Sequence, residues 1–340
     1  MVDQTETKPK RFSGFRWSWR ELFLMILILI VGIGVPAYKN GRAIEKLKSI
    51  DEVDFSLGPG YLLGSLPVTW RGWLNRTLGE NQLIPFETVT SFNCSTKTDL
   101  DDKELALLSQ FKNLKHLYVN SSEITNAGLS HLKGLVKLES LHLDNTQVTN
   151  AGLIHLNRLV RLESLHLNNA KVTNAGLIHL KGLTNLTGIE LSGTQVSDAG
   201  LVHLKGLSSL SYINLSGTQI SDAGLVHLKA LKKLYCCTLR NTQIRGAGLV
   251  HLQELSNLRV LVLSNTPLSD TEYIHLQKIP KLQWIDLSGT QITDTGLIHL
   301  KELTKLRVLF LGDTQVTAAE VAQLQKALPN CEIILISDTK

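Results

Sequence analysis

The sequence contains little cysteine, and its four cysteines are not placed to form disulfides. Cys94 and Cys331 lie near opposite ends of a run of repeated units, and the ~4.8 Å spacing of stacked strands separates them by roughly 40 Å. A disulfide needs Cα atoms within about 7 Å of each other. Cys236 and Cys237 are adjacent, so on a strand their side chains point to opposite faces. The sequence therefore excludes a fold held together by a disulfide framework.

Beyond its N-terminal 48 residues the sequence also lacks a net charge. The chain has 35 Lys and Arg against 30 Asp and Glu, a net charge of +5. Residues 1–48 hold nine of the basic and four of the acidic residues, which accounts for the whole excess. A protein that binds nucleic acid through its repeats needs a basic face. We therefore expect no nucleic-acid partner, and the basic N-terminus points to a membrane instead.

One long run without charge covers residues 22–38. Its length is at the lower limit for a membrane-spanning helix, and Trp17, Trp19 and Tyr38 are placed like interfacial aromatic anchors. We predict an uncleaved single-pass transmembrane helix here. A cleaved signal peptide is the alternative, with Gly32-Ile33-Gly34 as its cleavage site, although the basic and aromatic region before the run is long for such a peptide.

Slightly more basic residues precede this run than closely follow it, so the positive-inside rule favours repeats on the extracytoplasmic side. The segment Trp70–Leu78 mixes aromatic, apolar and basic residues. A membrane-surface helix is one interpretation of this segment, and a cap that covers the first repeat is the one we favour. The predicted parts of the chain are a basic tail over 1–20, the anchor over 21–38, a juxtamembrane segment and N-terminal cap over 39–88, and the repeats over 89–336.

A 24-residue repeat dominates the sequence and begins at Leu114. The unit from 138 to 161 reads LESLHLDNTQVTNAGLIHLNRLVR. Two leucines at alternate positions predict a strand, and three leucines at three-residue spacing predict a short helix with one apolar stripe. Thr149 and Asn150 can cap the start of that helix. In this unit the strand leucines are Leu141 and Leu143, and the helix leucines are Leu153, Leu156 and Leu159.

Two further positions recur in almost every repeat. A threonine, Thr146 in this unit, ends the strand, and we predict that its buried hydroxyl bonds to the backbone of a neighbouring repeat. Ala170 takes that position in the next repeat and should leave a gap. A glycine, Gly152 here, precedes the first helix leucine. Because glycine within a helix costs about 0.5–1 kcal/mol relative to alanine, its recurrence predicts the close approach of another backbone.

This pattern resembles the leucine-rich repeats in which threonine replaces the usual ladder asparagine. With Phe15–Arg20 before the apolar run and Trp70–Gly79 after it, the whole plan is similar to membrane-anchored leucine-rich-repeat proteins of planctomycete bacteria. The resemblance implies an α/β fold: a right-handed solenoid, or horseshoe, with a parallel sheet on its concave face and short helices on its convex face, preceded by one transmembrane helix. It also implies a protein-binding role without catalytic residues.

Histidine is the residue type that most invites a metal or catalytic interpretation. Eight of the eleven histidines recur between the helix leucines, as His131 does. We predict that they line the seams between neighbouring helices, because successive repeats hold them too far apart to share a zinc ion. His142 and His166 lie on strands instead, and we interpret His166 and Glu190 as a solvated polar pair. The sequence has no glycine-rich phosphate loop and no Cys-x-x-Cys motif. We therefore expect that the protein is not an enzyme and that it binds neither a cofactor nor a metal.

The concave face is the surface of the sheet opposite the leucine core. In the C-terminal third it carries valine and aromatic residues where earlier repeats carry Ser, His or Asn. Contiguous exposed apolar patches often mark partner sites, and burial under a C-terminal cap is the alternative. We predict that the protein binds a protein partner through this face; a structural role in the cell envelope without one specific ligand is the alternative function. The predicted partner-binding residues are Tyr212, Val260, Val262, Trp284, Asp286, Val308 and Phe310.

Overall fold

The computed structural model describes residues 54–57, 89–94, 100–109 and 111–335. The chain divides into two compact units, Met1–Asp51 and Glu52–Lys340, and every described residue belongs to the second. The predicted basic tail and transmembrane anchor, residues 1–38, lie outside the described residues. Among the helices that are described, none is long and apolar enough to cross a membrane.

A single sheet runs through the described part of the chain, and strands that follow one another in sequence are neighbours in the sheet. From β2 onward all neighbouring strands are parallel, one strand to a repeat. This confirms the parallel sheet predicted from the repeat. The strands are β1 (Asp54–Leu57), β2 (Val89–Cys94), β3 (His116–Val119), β4 (Ser140–His142), β5 (Ser164–His166), β6 (Gly188–Glu190), β7 (Tyr212–Asn214), β8 (Cys236–Thr238), β9 (Val260–Val262), β10 (Trp284–Asp286), β11 (Val308–Phe310) and β12 (Glu332–Ile334).

Strand β1 is the exception to the parallel order. It pairs antiparallel with β2, with Phe55 opposite Phe92. The sequence pattern did not indicate this strand, which lies within the segment where we predict a cap. By pairing with β2, it occupies backbone groups that would otherwise form an open sheet edge.

The helices that follow the strands are short, and many combine a turn of α-helix with 3-10 helix. A 3-10 helix has three residues per turn, so the three-residue spacing of the helix leucines keeps them on one side. The α-helices are α1 (Asp102–Leu108), α2 (Asn126–Ser130), α3 (Asn150–Leu153), α4 (Asn174–Leu177), α5 (Asp198–Leu201), α6 (Asp294–Leu297) and α7 (Ala318–Ala327). The 3-10 helices are His131–Gly134, Ile154–Leu156, Ile178–Leu180, Asp222–Ala230, Ala247–Glu254, Asp270–Lys278 and Ile298–Leu300.

The core lies between the sheet and these helices. The strand and helix leucines are inaccessible to solvent, as Leu141, Leu153 and Leu156 show with 0% exposure. Because each repeat buries its leucines against those of its neighbours, the core extends continuously along the solenoid.

The threonine hydroxyls donate to carbonyls of their own repeats, so the prediction that they bond to the backbone of a neighbouring repeat was wrong. Thr146 Oγ1 donates a hydrogen bond to the carbonyl of Leu143 in its own repeat, at 2.8 Å. The short side chain reaches the carbonyl across the turn that ends its strand, and so it closes that turn. At Ala170 the hydroxyl is absent, but the Ala170 N–H still donates to the Leu167 carbonyl at 3.1 Å. The same bond within one repeat recurs at Thr194, Thr218, Thr242, Thr266, Thr290 and Thr314.

In most repeats the residue that opens the helix is an asparagine or an aspartate whose side chain bonds to the next repeat; Gly246 holds this position in one repeat and has no side chain to do so. Asn126 Oδ1 accepts the backbone N–H of Thr149 at 2.9 Å, and Asn126 Nδ2 donates to Thr149 Oγ1 at 2.8 Å. Aspartate makes a similar link in later repeats, where Asp198 accepts hydrogen bonds from the N–H and the hydroxyl of Ser221. Where they occur, these bonds tie the start of one helix to the start of the next.

The recurring glycine makes room for this link. A Cβ at Gly152 would lie 2.5 Å from Asn126 Oδ1 in the preceding repeat. The close neighbour is therefore a side chain, and not the backbone that we predicted. Gly248 is different, since a Cβ there would lie 2.4 Å from the backbone oxygen of Asp222.

Candidate interaction surface on the concave face

The concave face consists of side chains that alternate with the core residues of each strand. On β10, Ile285 is completely buried, whereas Trp284 and Asp286 on either side of it are half-buried. Parallel strands stand about 4.8 Å apart, and their register places equivalent residues side by side. The concave face therefore carries two rows of side chains, one through Trp284 and one through Asp286.

The C-terminal part of this face is apolar, as the sequence suggested. Val260, Trp284 and Val308 are neighbours in one row, and Val262, Asp286 and Phe310 are neighbours in the other. The rings of Trp284 and Phe310 lie 5.1 Å apart between centroids, tilted by 52°. We call the five residues Val260, Val262, Trp284, Val308 and Phe310 the apolar patch.

The C-terminal strand does not bury this patch. In the register of β11 and β12, Val308 stands beside Glu332, and Phe310 stands beside Ile334. Strand β12 thus extends the sheet sideways and leaves Val308 and Phe310 half-buried. Within the described residues, all five members of the apolar patch keep part of their side chain open to solvent.

Two predicted partner-binding residues differ from the rest. Asp286 lies among the patch residues, and its Oδ1 accepts the N–H of Ser288 at 2.9 Å. Tyr212 lies apart on β7, separated from the patch by β8, and its hydroxyl donates to Glu190 Oε1 at 2.7 Å. Burial, followed by this hydrogen bond, raises the pKa of Tyr212. Tyr212 therefore belongs to the polar part of the face.

That polar part is organised around the carboxylate of Glu190. It accepts hydrogen bonds from the Tyr212 hydroxyl, from Asn214 Nδ2 at 2.7 Å and from Asn168 Nδ2 at 3.2 Å. Strands β5 to β7 are thus joined by side chains above the sheet. These polar groups bind one another, in contrast to the apolar patch.

The strand histidines lie beside this network. The rings of His142 and His166 stack with centroids 3.6 Å apart and planes 20° apart. His166 Nδ1 lies 3.8 Å from Asp144 Oδ2, and His166 Nε2 lies 3.1 Å from Ser164 Oγ. We predicted Glu190 as the partner of His166. The acidic neighbour of His166 is instead Asp144, because the donors on β7 hold the Glu190 carboxylate.

The surroundings of His142 and Asp144 shift the pKa of each side chain. Burial, and secondarily the neighbouring His166, lowers the pKa of His142 to about 4. His142 is therefore neutral near pH 7. Burial also raises the pKa of Asp144, partly offset by the hydrogen bond from the Asn168 backbone.

Asp144 is the member of this cluster that the sequence analysis missed. Both histidines lie in a column of strand residues next to the first core leucine, such as Leu141, whereas Asp144 lies in another column, two residues after His142. A comparison of that column with the histidines would have found it. One ligand atom from each of His142, Asp144 and His166 lies within 4.8 Å of the others.

The helix histidines occupy a different environment. Seven of the eight are half-buried, and His131 in the first helix of the column is exposed. Burial lowers the pKa of His155 and of His203, with a smaller contribution from a lysine of the preceding repeat in each case. Within the described residues, the cluster with metal-ligand spacing does not include them.

Comparisons with known proteins agree with this architecture. Residues 206–229 and 278–301 match the family model described as Leucine Rich repeat. No curated protein matches the sequence significantly. The fold is similar to that of an internalin from Listeria monocytogenes, with a TM-score of 0.55, 18% identity, and coverage of 82% of this chain and 93% of that one. It is also similar to a TDR receptor, with a TM-score of 0.50, 17% identity, and coverage of 68% and 40%. At these identities the likeness shows a shared fold.

Proposed function

We propose that this chain, a leucine-rich-repeat protein, binds a protein partner through its concave face, with the apolar patch at the centre of the contact. The observation that supports this proposal is the partial exposure of Trp284 and Phe310 above a core that is already filled. Leu261, Ile285 and Leu309 fill the core on the three strands concerned, and each has 0% exposure. Repeat packing therefore does not require the two aromatic side chains.

The chemistry of the patch suits a protein contact. Large aromatic residues are frequent among the side chains that carry most of the binding energy at interfaces. The central parts of interfaces are depleted in charged residues, and the apolar patch has one carboxylate beside it, that of Asp286, between Val262 and Phe310. We propose that the partner places an apolar side chain against Trp284 and Phe310 and a hydrogen-bond donor or a basic group against Asp286.

We propose a binding role and not a catalytic one. Glu190, a carboxylate in the middle of the concave face, already accepts three hydrogen bonds from neighbouring side chains. A general base must reach the proton that it removes, and these donors compete for the same oxygens. The polar part of the face is thus better suited to holding the strands together.

We also propose that residues 22–38 anchor the chain in a membrane, with the repeats on the extracytoplasmic side. The uncharged run and its flanking aromatic residues support this, as does the resemblance to membrane-anchored leucine-rich-repeat proteins of planctomycete bacteria. We expect the full chain to stay in the membrane pellet after carbonate extraction, and added protease to digest the repeats in intact spheroplasts. A mature protein that begins near Val35 would show a cleaved signal peptide instead.

Site-specific photocrosslinking in cells tests the partner contact. We would place p-benzoylphenylalanine at Phe310 and, as a matched control, at Tyr118, a half-buried aromatic residue on the concave face of β3. We expect a defined crosslinked protein from position 310 and none from position 118. Trp284→Ala should then weaken the affinity for that protein by roughly 30-fold, since an anchor of this kind contributes about 2 kcal/mol or more.

Two results would contradict the proposal. Equal crosslinking at both positions, or at neither, would favour a structural role in the envelope without one specific ligand. An unchanged affinity after Trp284→Ala would place the contact elsewhere on the protein.

A further inference from the structure

We propose that His142, Asp144 and His166 form a zinc-binding site in the polar part of the concave face. The site is separate from the apolar patch and does not depend on the proposed partner. It departs from the expectation, drawn from the sequence, that the protein holds no metal.

The repeat geometry brings the three side chains together. His142 and His166 are register partners on the adjacent strands β4 and β5, so their rings stand side by side. Asp144 follows His142 by two residues and points its Oδ2 towards His166. The ligand atoms already lie within 4.8 Å of one another.

The donor set matches the chemistry of zinc. Two imidazole nitrogens and one carboxylate oxygen are a common ligand set for a zinc ion that keeps its fourth position for water or another ligand. Imidazole also binds copper and nickel. Small rotations of the rings about their Cβ–Cγ bonds would bring one nitrogen of each close enough to share an ion. Both histidines are half-buried, so the rings have an open side for this rotation.

Neighbouring groups already orient two of the ligands. The backbone N–H of Asn168 donates to Asp144 Oδ1 at 2.7 Å and leaves Oδ2 facing His166. The hydroxyl of Ser164 lies 3.1 Å from His166 Nε2, where it can accept a hydrogen bond from the Nε2–H. The other nitrogen, Nδ1, then faces Asp144 and is available to an ion. Such outer partners normally fix the orientation of metal ligands.

The sequence places this combination in one pair of repeats. The strand position of His142 holds Tyr118 one repeat earlier and Glu190 one repeat after His166. Two adjacent repeats therefore supply the two imidazoles, and the carboxylate comes from the first of them. In the part of the chain that the structure describes, this is the group with suitable spacing.

Titration of the chelator-treated full chain with Zn²⁺, in competition with a chromophoric chelator, tests the site. We expect one zinc ion to be bound in a manner that depends on all three residues. His142→Gln, His166→Gln and Asp144→Asn should each weaken binding by more than about tenfold, since even outer partners of metal ligands contribute 10–100-fold. Asp144→Asn keeps the Oδ1 acceptor for the Asn168 N–H, so this variant should fold normally.

The double variant His155→Gln/His203→Gln is the matched control, because it removes two histidines from the helix column. It should bind zinc like the original protein, and so should Trp284→Ala. Cobalt(II) in place of zinc should give visible absorption bands that Asp144→Asn abolishes. If the original chain binds no zinc, or if the helix variant loses as much affinity as the strand variants, the proposal is wrong. Circular dichroism of the metal-free variants would verify that each is folded.

Discussion

The polar and the apolar parts of the concave face use the same strand positions in opposite ways. Around Glu190, side chains from neighbouring repeats bind one another and close the surface by hydrogen bonds. Around Trp284, the side chains contact one another but leave apolar surface open. Repeat packing does not dictate these positions, because buried apolar side chains beneath them, such as Ile189 and Ile285, fill the core in both parts. The face is thus free to serve stability in one part and, as we propose, recognition in the other.

The largest effect on stability should appear when a core residue and a concave-face residue of the same strand, β10, are substituted separately. Ile285→Ala removes a fully buried side chain and should lower the free energy of unfolding by about 2–5 kcal/mol. Trp284→Ala, one residue away, should change it far less, because the indole is only half-buried. Urea denaturation of both variants, followed by circular dichroism, measures the difference. Comparable losses would show that Trp284 is part of the core, which would remove the contrast between the two parts of the face.

A smaller loss of stability should follow when the hydrogen bonds of the polar part are removed. Glu190→Ala leaves Tyr212, Asn214 and Asn168 without their common acceptor. It should lower the free energy of unfolding by about 1–2 kcal/mol. This value is at the lower end for charged hydrogen bonds, because water can reach the site. Glu163→Ala, at an exposed position one repeat earlier, is the control and should stay within about 0.5 kcal/mol. Equal stability of the two variants would mean that the polar network does not stabilise the sheet.

The smallest effect on stability should come from histidines on the helices behind the polar part. The pKa of His155 and of His203 is lowered in the folded chain, so the unfolded chain binds more protons as the pH falls. Their contribution to stability should therefore decrease as the pH drops through about 6.5. His155→Gln/His203→Gln should flatten the fall in thermal midpoint between neutral and mildly acidic pH.

His131→Gln, at the exposed end of the column, should leave that fall unchanged. If the double variant retains the full pH dependence, the acid sensitivity of these repeats comes from the concave face and not from the helix seams.

The sequence predicted the features that repeat. The strict spacing of leucines placed one strand and one short helix in every unit, and so it also predicted which strand residues are neighbours across the sheet. This is why Trp284 and Phe310 could be assigned to one surface. The contacts of individual polar side chains were less predictable. Thr146 bonds within its own repeat and Gly152 faces a side chain, because each of these choices depends on distances of a few ångströms that the spacing does not specify.

The sequence by itself determined the leucine-rich-repeat plan, since a period of 24 residues with buried leucines is satisfied by stacking alone. It also determined the apolar character of the surface around Trp284. Only the tertiary structure decided that β1 pairs with β2, that Glu190 turns towards Tyr212, and that Asp144 joins His142 and His166. These arrangements depend on competition among donors and acceptors from different repeats. Each group takes the partner that the packed backbone brings within hydrogen-bond distance.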